Sequence, residues 1–132
     1  MILLDTHVWV WFVNQPDLLP ATVLAEIDAA RDGAAVGVSC ISTWEVFMLT
    51  KRGRLKFRVP TEVWVERCER LPFLRFIPVD NAIARAAVNL PESFHADPAD
   101  RIITATAITL GCPLLTKDEK IRAFSGVQTR WA

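Results

Sequence analysis

No sign of charge predominates in this chain: 15 lysines and arginines balance 15 aspartates and glutamates, for a formal net charge of zero. Bulk electrostatic attraction to nucleic acid is thereby excluded, and any such binding has to come from local clusters. Cysteine is scarce as well. Cys40, Cys68 and Cys112 are odd in number and far apart, with no C-x-x-C pair. That excludes a disulfide framework and a thiolate zinc site, and it points to a reducing cytoplasm. The two histidines form no cluster of the kind zinc or another soft-ligand metal uses. The N-terminus lacks a basic n-region, and Asp5 and His7 interrupt its apolar run, so neither a signal peptide nor a membrane span is expected. Internal repeats, low-complexity segments and linkers are missing too. What remains is 132 residues, 52% of them hydrophobic, which fits a single domain over residues 1–132 with a sizeable core.

The most informative stretch runs from His95 to Asp118. Asp97 precedes Pro98, and proline at a first helical position loses no needed hydrogen bond, so Asp97 is placed as an N-cap. Asp100 falls three residues on, in the first turn. Ile102, Ile103, Ala105, Ala107 and Ile108 give the helix a broad apolar surface, and Gly111 ends it. Pro113-Leu114-Leu115 then reads as a short buried strand that stops at Thr116-Lys117-Asp118.

The rest of the chain repeats this alternation. Ile2-Leu3-Leu4 predicts a strand buried on both faces and ending in Asp5. A helix follows through Trp9, Trp11 and Phe12 to Asn14-Gln15-Pro16. Pro20 opens the next helix, which closes at Gly33, and Ala35–Val38 predicts a second strand. Ser42-Thr43-Trp44-Glu45 matches the S-x-x-E capping box, ahead of a helix that closes at Lys51-Arg52-Gly53. Residues 54–58 alternate in polarity, and Pro60-Thr61 start another helix. Arg75–Val79 predicts a strand, with Pro78 weakening it or placing it at an edge. Asp80 caps a helix through Ile83 and Val88. A short helix from Glu119 to Phe124 and a strand from Val127 to Trp131 complete the chain. Strands separated by helices predict an α/β fold with a mostly parallel sheet.

In such sheets ligands bind outside the carboxyl ends of the strands. Asp5, Asp118 and the loop leading to Glu45 all follow predicted strands, and Asp100 enters from the same side. Each acid alone also reads as a helix cap, a capping-box member or a partner for a helix dipole. Together they fall at one rim, where clustered carboxylates repel unless a cation joins them. A hard divalent ion such as Mg²⁺, or Mn²⁺ in its place, takes oxygen ligands and leaves positions for phosphate, which implies phosphodiester hydrolysis.

The four segments L-L-D-T-H-V-W (3–9), S-T-W-E-V (42–46), H-A-D-P-A-D-R-I-I (95–103) and L-L-T-K-D (114–118) together resemble the PIN-domain ribonucleases, specifically the VapC-type toxins of toxin–antitoxin pairs. The resemblance spans nearly the whole chain, in the family's order and spacing. It implies a PIN-like three-layer fold whose central sheet has about five strands, flanked by helices. It implies Asp5, Glu45, Asp100 and Asp118 as metal-binding catalytic acids, with Thr6 and Thr116 as polar supports. Asp97 stays beside them as a cap. Ala99 stands where the family often has an aromatic residue. The resemblance also implies a homodimer and an antitoxin that wraps the toxin and plugs its acidic pocket.

His95, Arg101 and Lys117 are candidate RNA contacts, each with an equally ordinary packing or solvated reading. Lys51, Arg52, Arg54, Lys56 and Arg58 place five cations in eight residues, which suits either a phosphate backbone or a solvated edge. The helix through Val8, Trp9, Val10, Trp11, Phe12 and Val13 is apolar all round, so it has to be buried or meet a partner. Two rival functions share these features. A receiver-like signalling domain also has an α/β sheet and an acidic Mg²⁺ pocket, and a non-catalytic module would bind RNA without cutting it.

Overall fold

The computed structural model describes residues 1–132. Five short strands, β1 (Ile2–Leu4), β2 (Val36–Ser39), β3 (Leu74–Ile77), β4 (Leu114–Leu115) and β5 (Thr129–Arg130), form one sheet in the order β3-β2-β1-β4-β5. All four pairings are parallel, with Leu3 opposite Gly37 and Leu114, and Leu4 opposite Val38 and Leu115. Parallel strands need long crossovers, and these are supplied by helices. They are α1 (Thr6–Asn14), α2 (Ala21–Asp32), α3 (Cys40–Lys51), α4 (Thr61–Glu69), α5 (Asn81–Val88), α6 (Pro98–Leu110) and α7 (Glu119–Arg122).

Alternation along the central strands sends side chains to two cores. Ile2, Leu4, Val36, Val38 and Leu115 face a cluster that holds Trp9 and Phe12 of α1, Val23 and Ile27 of α2, and Trp64 and Cys68 of α4. Leu3 and Leu114 face the other way, onto Ile103 and Ala107 of α6 and Ile121 of α7. The sheet is therefore sandwiched between helical layers, as the three-layer expectation requires. Gly37 belongs to the second face. A Cβ there would stand 3.4 Å from Leu3 Cδ1 and 3.6 Å from Ile77 Cγ1, in ordinary contact with the side chains that cover that face.

Most caps follow the sequence reading. Asp80 accepts from Ile83 N, Asp97 accepts from Asp100 N, and Gly111 ends α6 at φ +64. Strand β3 is an edge strand and stops before Pro78. Observed ends of β2, β5 and α7 differ from the expected ones by a residue or two, which is ordinary for frayed termini. The alternating stretch at 54–58 joins no sheet, yet it keeps its alternation. Leu55 and Phe57 pack on the core while Arg54, Lys56 and Arg58 are exposed.

Two expectations are corrected. Ser42-Thr43-Trp44-Glu45 is not a capping box. Helix α3 begins directly off β2, with Ser39 as its N-cap accepting from Ile41 N at 3.2 Å. Ser42 and Glu45 therefore lie inside the helix. The apolar run of α1 leaves less surface for a partner than it promised: Trp9 is fully buried against Trp64 (4.9 Å) and Phe76 (5.5 Å), and Val8, Val10 and Phe12 are buried with it. Only Val13 is exposed and Trp11 half-buried. The three cysteines are unpaired, and burial pushes the Cys68 thiol up to about 11, where it stays protonated and inert. No helix is long and apolar enough to cross a membrane.

Candidate active site

Strand order reverses at one place. From β1 the chain builds outward to β2 and β3, then returns to lay β4 and β5 on the other side. The loops after β1 and β4 consequently part company, and a crevice opens between them at their carboxyl ends. Asp5 follows β1 and is tied across the crevice, its N–H donating to Leu115 O at 3.0 Å. Thr116, Lys117 and Asp118 follow β4.

Four elements deliver four acids here. Asp5, Glu45, Asp100 and Asp118 line one cleft of about 520 Å³, with Thr6, Asp97, Trp11 and Lys117 among its other walls. Asp5 is buried (9% exposed) and its two oxygens are held separately. Oδ1 accepts from Thr6 N at 2.8 Å, and Oδ2 accepts from the Thr116 hydroxyl at 2.6 Å. A helix-capping carboxylate accepts from the second or third helical N–H, so the bond to Thr6 N, the first, holds Asp5 in place and is not an ordinary cap. Glu45 Oε1 accepts from the Thr6 hydroxyl at 2.6 Å, and that hydroxyl is paired with Ser42 Oγ at 2.8 Å. Asp118 does cap α7, through Oδ1 to Lys120 N and Ile121 N. Asp97 caps α6 at the cleft wall.

Burial and mutual repulsion both act on these acids. Burial raises the Asp5 carboxyl above its ordinary range, against the lowering effect of Thr116 and Thr6. Burial raises Glu45 as well, with the charges of Asp5 and Asp97 adding to it. Asp100 is pushed up to about 8, first by burial and then by Asp5, Asp97, Asp118 and Glu45 in turn. A set of carboxylates with this cost to ionise fits a hard divalent cation. No three of them stand close enough together, as placed, to grip one ion directly. Mg²⁺ would ask for less than that, because it usually takes one or two carboxylates and keeps several waters. Glu45 Oε2 and Asp118 Oδ2 accept no hydrogen bond within the protein and so remain available.

The other predicted contacts are scattered. His95 stacks on Phe94 (centroids 4.7 Å apart) with Nε2 3.4 Å from Asp100 Oδ2, so it packs and also borders the acids. Arg101 turns away, its guanidinium 3.5 Å from the carbonyls of Leu90 and Pro91 and 5.8 Å from the Phe94 ring. It ties down the loop before α6. Lys117 is exposed at the cleft rim, Nζ 5.6 Å from the Trp11 ring. Lys51 and Arg52 line a different groove, with Trp44 and Met48, that shares no residue with the cleft; Arg54 is exposed beyond them. Sequence reasoning missed Trp11 and His7 as cleft residues, and Ser42 as the buried support behind Thr6. The i, i+4 spacing of His7 and Trp11, starting two residues past Asp5, was the available signal.

The PIN domain family matches residues 2–127. Ribonuclease VapC22 of Mycobacterium tuberculosis (strain ATCC 25618 / H37Rv) is 34% identical over 122 residues, covering 92% of this chain and 90% of that protein. Among solved structures, VapBC2 from Rickettsia felis, bound to a DNA fragment from its promoter, superimposes with a TM-score of 0.74 over 100% of both chains at 16% identity. FitAcB from Neisseria gonorrhoeae gives 0.68 at 26% identity, over 98% of this chain and 96% of the other. The parallel five-stranded sheet, the acids at its switch point and these similarities agree: the chain belongs to the PIN-domain family, as a member of its VapC type.

Proposed function

We propose that this chain, as one PIN domain over residues 1–132, is a divalent-metal-dependent endoribonuclease and the toxin of a toxin–antitoxin pair. One observation carries the reading: Asp5, Glu45, Asp100 and Asp118, from four separate elements, line a single cleft at the switch point of the sheet. These four would hold Mg²⁺ or Mn²⁺. When bound, such an ion acidifies a coordinated water and neutralises charge on phosphate oxygens. Thr116 fixes the rotamer of Asp5, and Thr6, backed by Ser42, fixes Glu45. Lys117 at the rim would meet phosphate, and His95, whose Nε2 is buried 3.4 Å from Asp100 Oδ2, would back that acid from behind. The similarity to VapC22 supports the ribonuclease activity, and the VapBC complexes support an antitoxin as partner. A cationic side chain from that antitoxin would plug the acids. A homodimer and a cytoplasmic setting complete the proposal.

The receiver-like reading gains nothing from the geometry. Its phospho-accepting aspartate would be Asp5, whose oxygens are both engaged, and Thr116 is committed to that same side chain. A test separates the remaining readings. Protein freed of any partner should cut structured RNA with Mg²⁺ or Mn²⁺ and fall silent in excess EDTA. Cleavage that persists in EDTA, with contaminating nuclease excluded, overturns metal dependence. Binding without cutting in either condition favours the non-catalytic module.

A further inference from the structure

A second groove opens beside the acidic cleft, between α1, α4 and the alternating stretch at 54–59. Its volume is about 500 Å³, and its walls carry Lys56, Arg58 and Arg67 with no aspartate or glutamate. In a chain with no net charge that is a marked local excess. None of the three cations is ion-paired within the protein. Their placement is built in: Leu55, Phe57 and Val59 turn inward, Phe57 stacks on Trp64 at 4.3 Å and 8°, and Lys56 and Arg58 are left facing solvent. Trp11 lines both this groove and the cleft, with Lys117 over its ring. Groove and cleft therefore adjoin, with Trp11 as their shared wall.

We propose that this groove is the track that delivers single-stranded RNA to the acidic cleft, with Trp11 as the stacking platform at the junction. The inference rests on the nuclease reading above. Clustered carboxylates repel a phosphate backbone, so substrate affinity has to come from outside the cleft, and a line of unpaired cations beside an aromatic face is the chemistry that binds single strands. It also redistributes the cationic stretch. Lys56 and Arg58 touch the substrate, whereas Lys51 and Arg52 line a groove that does not join the cleft.

The test measures binding of an unstructured RNA oligonucleotide in EDTA, across a salt series, by fluorescence anisotropy. The parent is compared with Lys56→Gln/Arg58→Gln and with Lys51→Gln/Arg52→Gln. All four positions are exposed, so melting temperatures should match and losses report contacts. Each phosphate contact adds about 0.7 to the log–log salt slope for single strands, so the first pair should lower it by about 1.4 and the second should leave it unchanged. In Mg²⁺ the first pair should raise KM with kcat near the parent's. Equal slopes in all three proteins overturn the track, and the nuclease reading survives if the parent still cuts RNA in Mg²⁺. A parent that never cuts sinks the nuclease reading, while the slopes still decide the track. If Lys56→Gln/Arg58→Gln binds RNA normally but no longer forms the antitoxin complex, the groove seats a protein and the proposal fails.

Discussion

Asp97 and Asp100 stand three residues apart at one helix end, joined by the hydrogen bond from Asp100 N to Asp97 Oδ1. Their chemistry separates them. The Asp97 side chain satisfies a backbone donor, a task asparagine performs nearly as well. Asp100 satisfies none, sits half-buried among other acids, and is pushed up to about 8 by that company. Asp97→Asn should thus keep the helix and most RNA cleavage. Asp100→Asn should retain the fold and lose cleavage by about 100-fold or more, the scale of removing several kcal/mol of charge stabilisation. Equal losses in a cleavage assay would place Asp97 among the metal-holding groups. Thr116→Val tests a positioning role in the same pocket. Removing the one hydroxyl that holds Asp5 Oδ2 should cost about 1.5–3 kcal/mol in stability. Serine at that position should restore both stability and cleavage.

At the scale of elements, α3 shows where a local signature loses to the sheet. Ser42-x-x-Glu45 has the letters of a capping box, and nothing nearby in the sequence contradicts it. The sheet register does. Ser39 pairs with Ile77 as the last rung of β2, and the chain turns into helix at the next residue. Ser39 is both strand end and cap, and the helix starts one turn earlier than the signature says. That shift deprives Glu45 of its structural explanation and leaves it free for the cleft. Asp97-Pro98, Gly111 and Asp80 were legible because each cap is decided by residues within three positions of itself. The convergence of Asp5 on Thr116, 111 residues away, is decided by strand order, which periodicity does not encode; the carboxyl-end rule brought the two strand ends to one rim, and the family resemblance added Thr116 as a support. The corrected cap makes a prediction. Ser39→Ala should cost about 1 kcal/mol of stability, while cleavage per folded molecule is retained. Ser42→Ala should do the reverse, weakening cleavage more than melting, since its hydroxyl supports Thr6 and Glu45. If Ser42→Ala lowers the melting temperature as much as Ser39→Ala does, without affecting cleavage, Ser42 is only a packing residue.

For the molecule as a whole, the cleft couples folding to pH and to metal. Asp5, Glu45 and Asp100 all have carboxyls raised in the folded state, so the folded protein holds protons that the unfolded chain releases. Their contribution is complete below the unfolded values, near 3.8 for Asp100, and is lost as pH rises toward the folded value of about 8. In EDTA, melting temperature should therefore fall steadily from about pH 5 to pH 8. Asp100→Asn removes a strongly raised carboxyl and its share of the repulsion, so its profile should be flatter and should lie above the parent's near neutral pH. Added Mg²⁺ reverses the trend, because the ion binds the ionised carboxylates and only the folded state assembles them. At 100 times Kd the gain is about 2.7 kcal/mol, or roughly 10 °C for a chain of this length. That gain should grow with pH in the parent and shrink in every Asp→Asn variant at positions 5, 100 and 118. Parallel EDTA profiles for parent and Asp100→Asn, with the same Mg²⁺ response in each, would mean that the acids act singly as caps and share no ion.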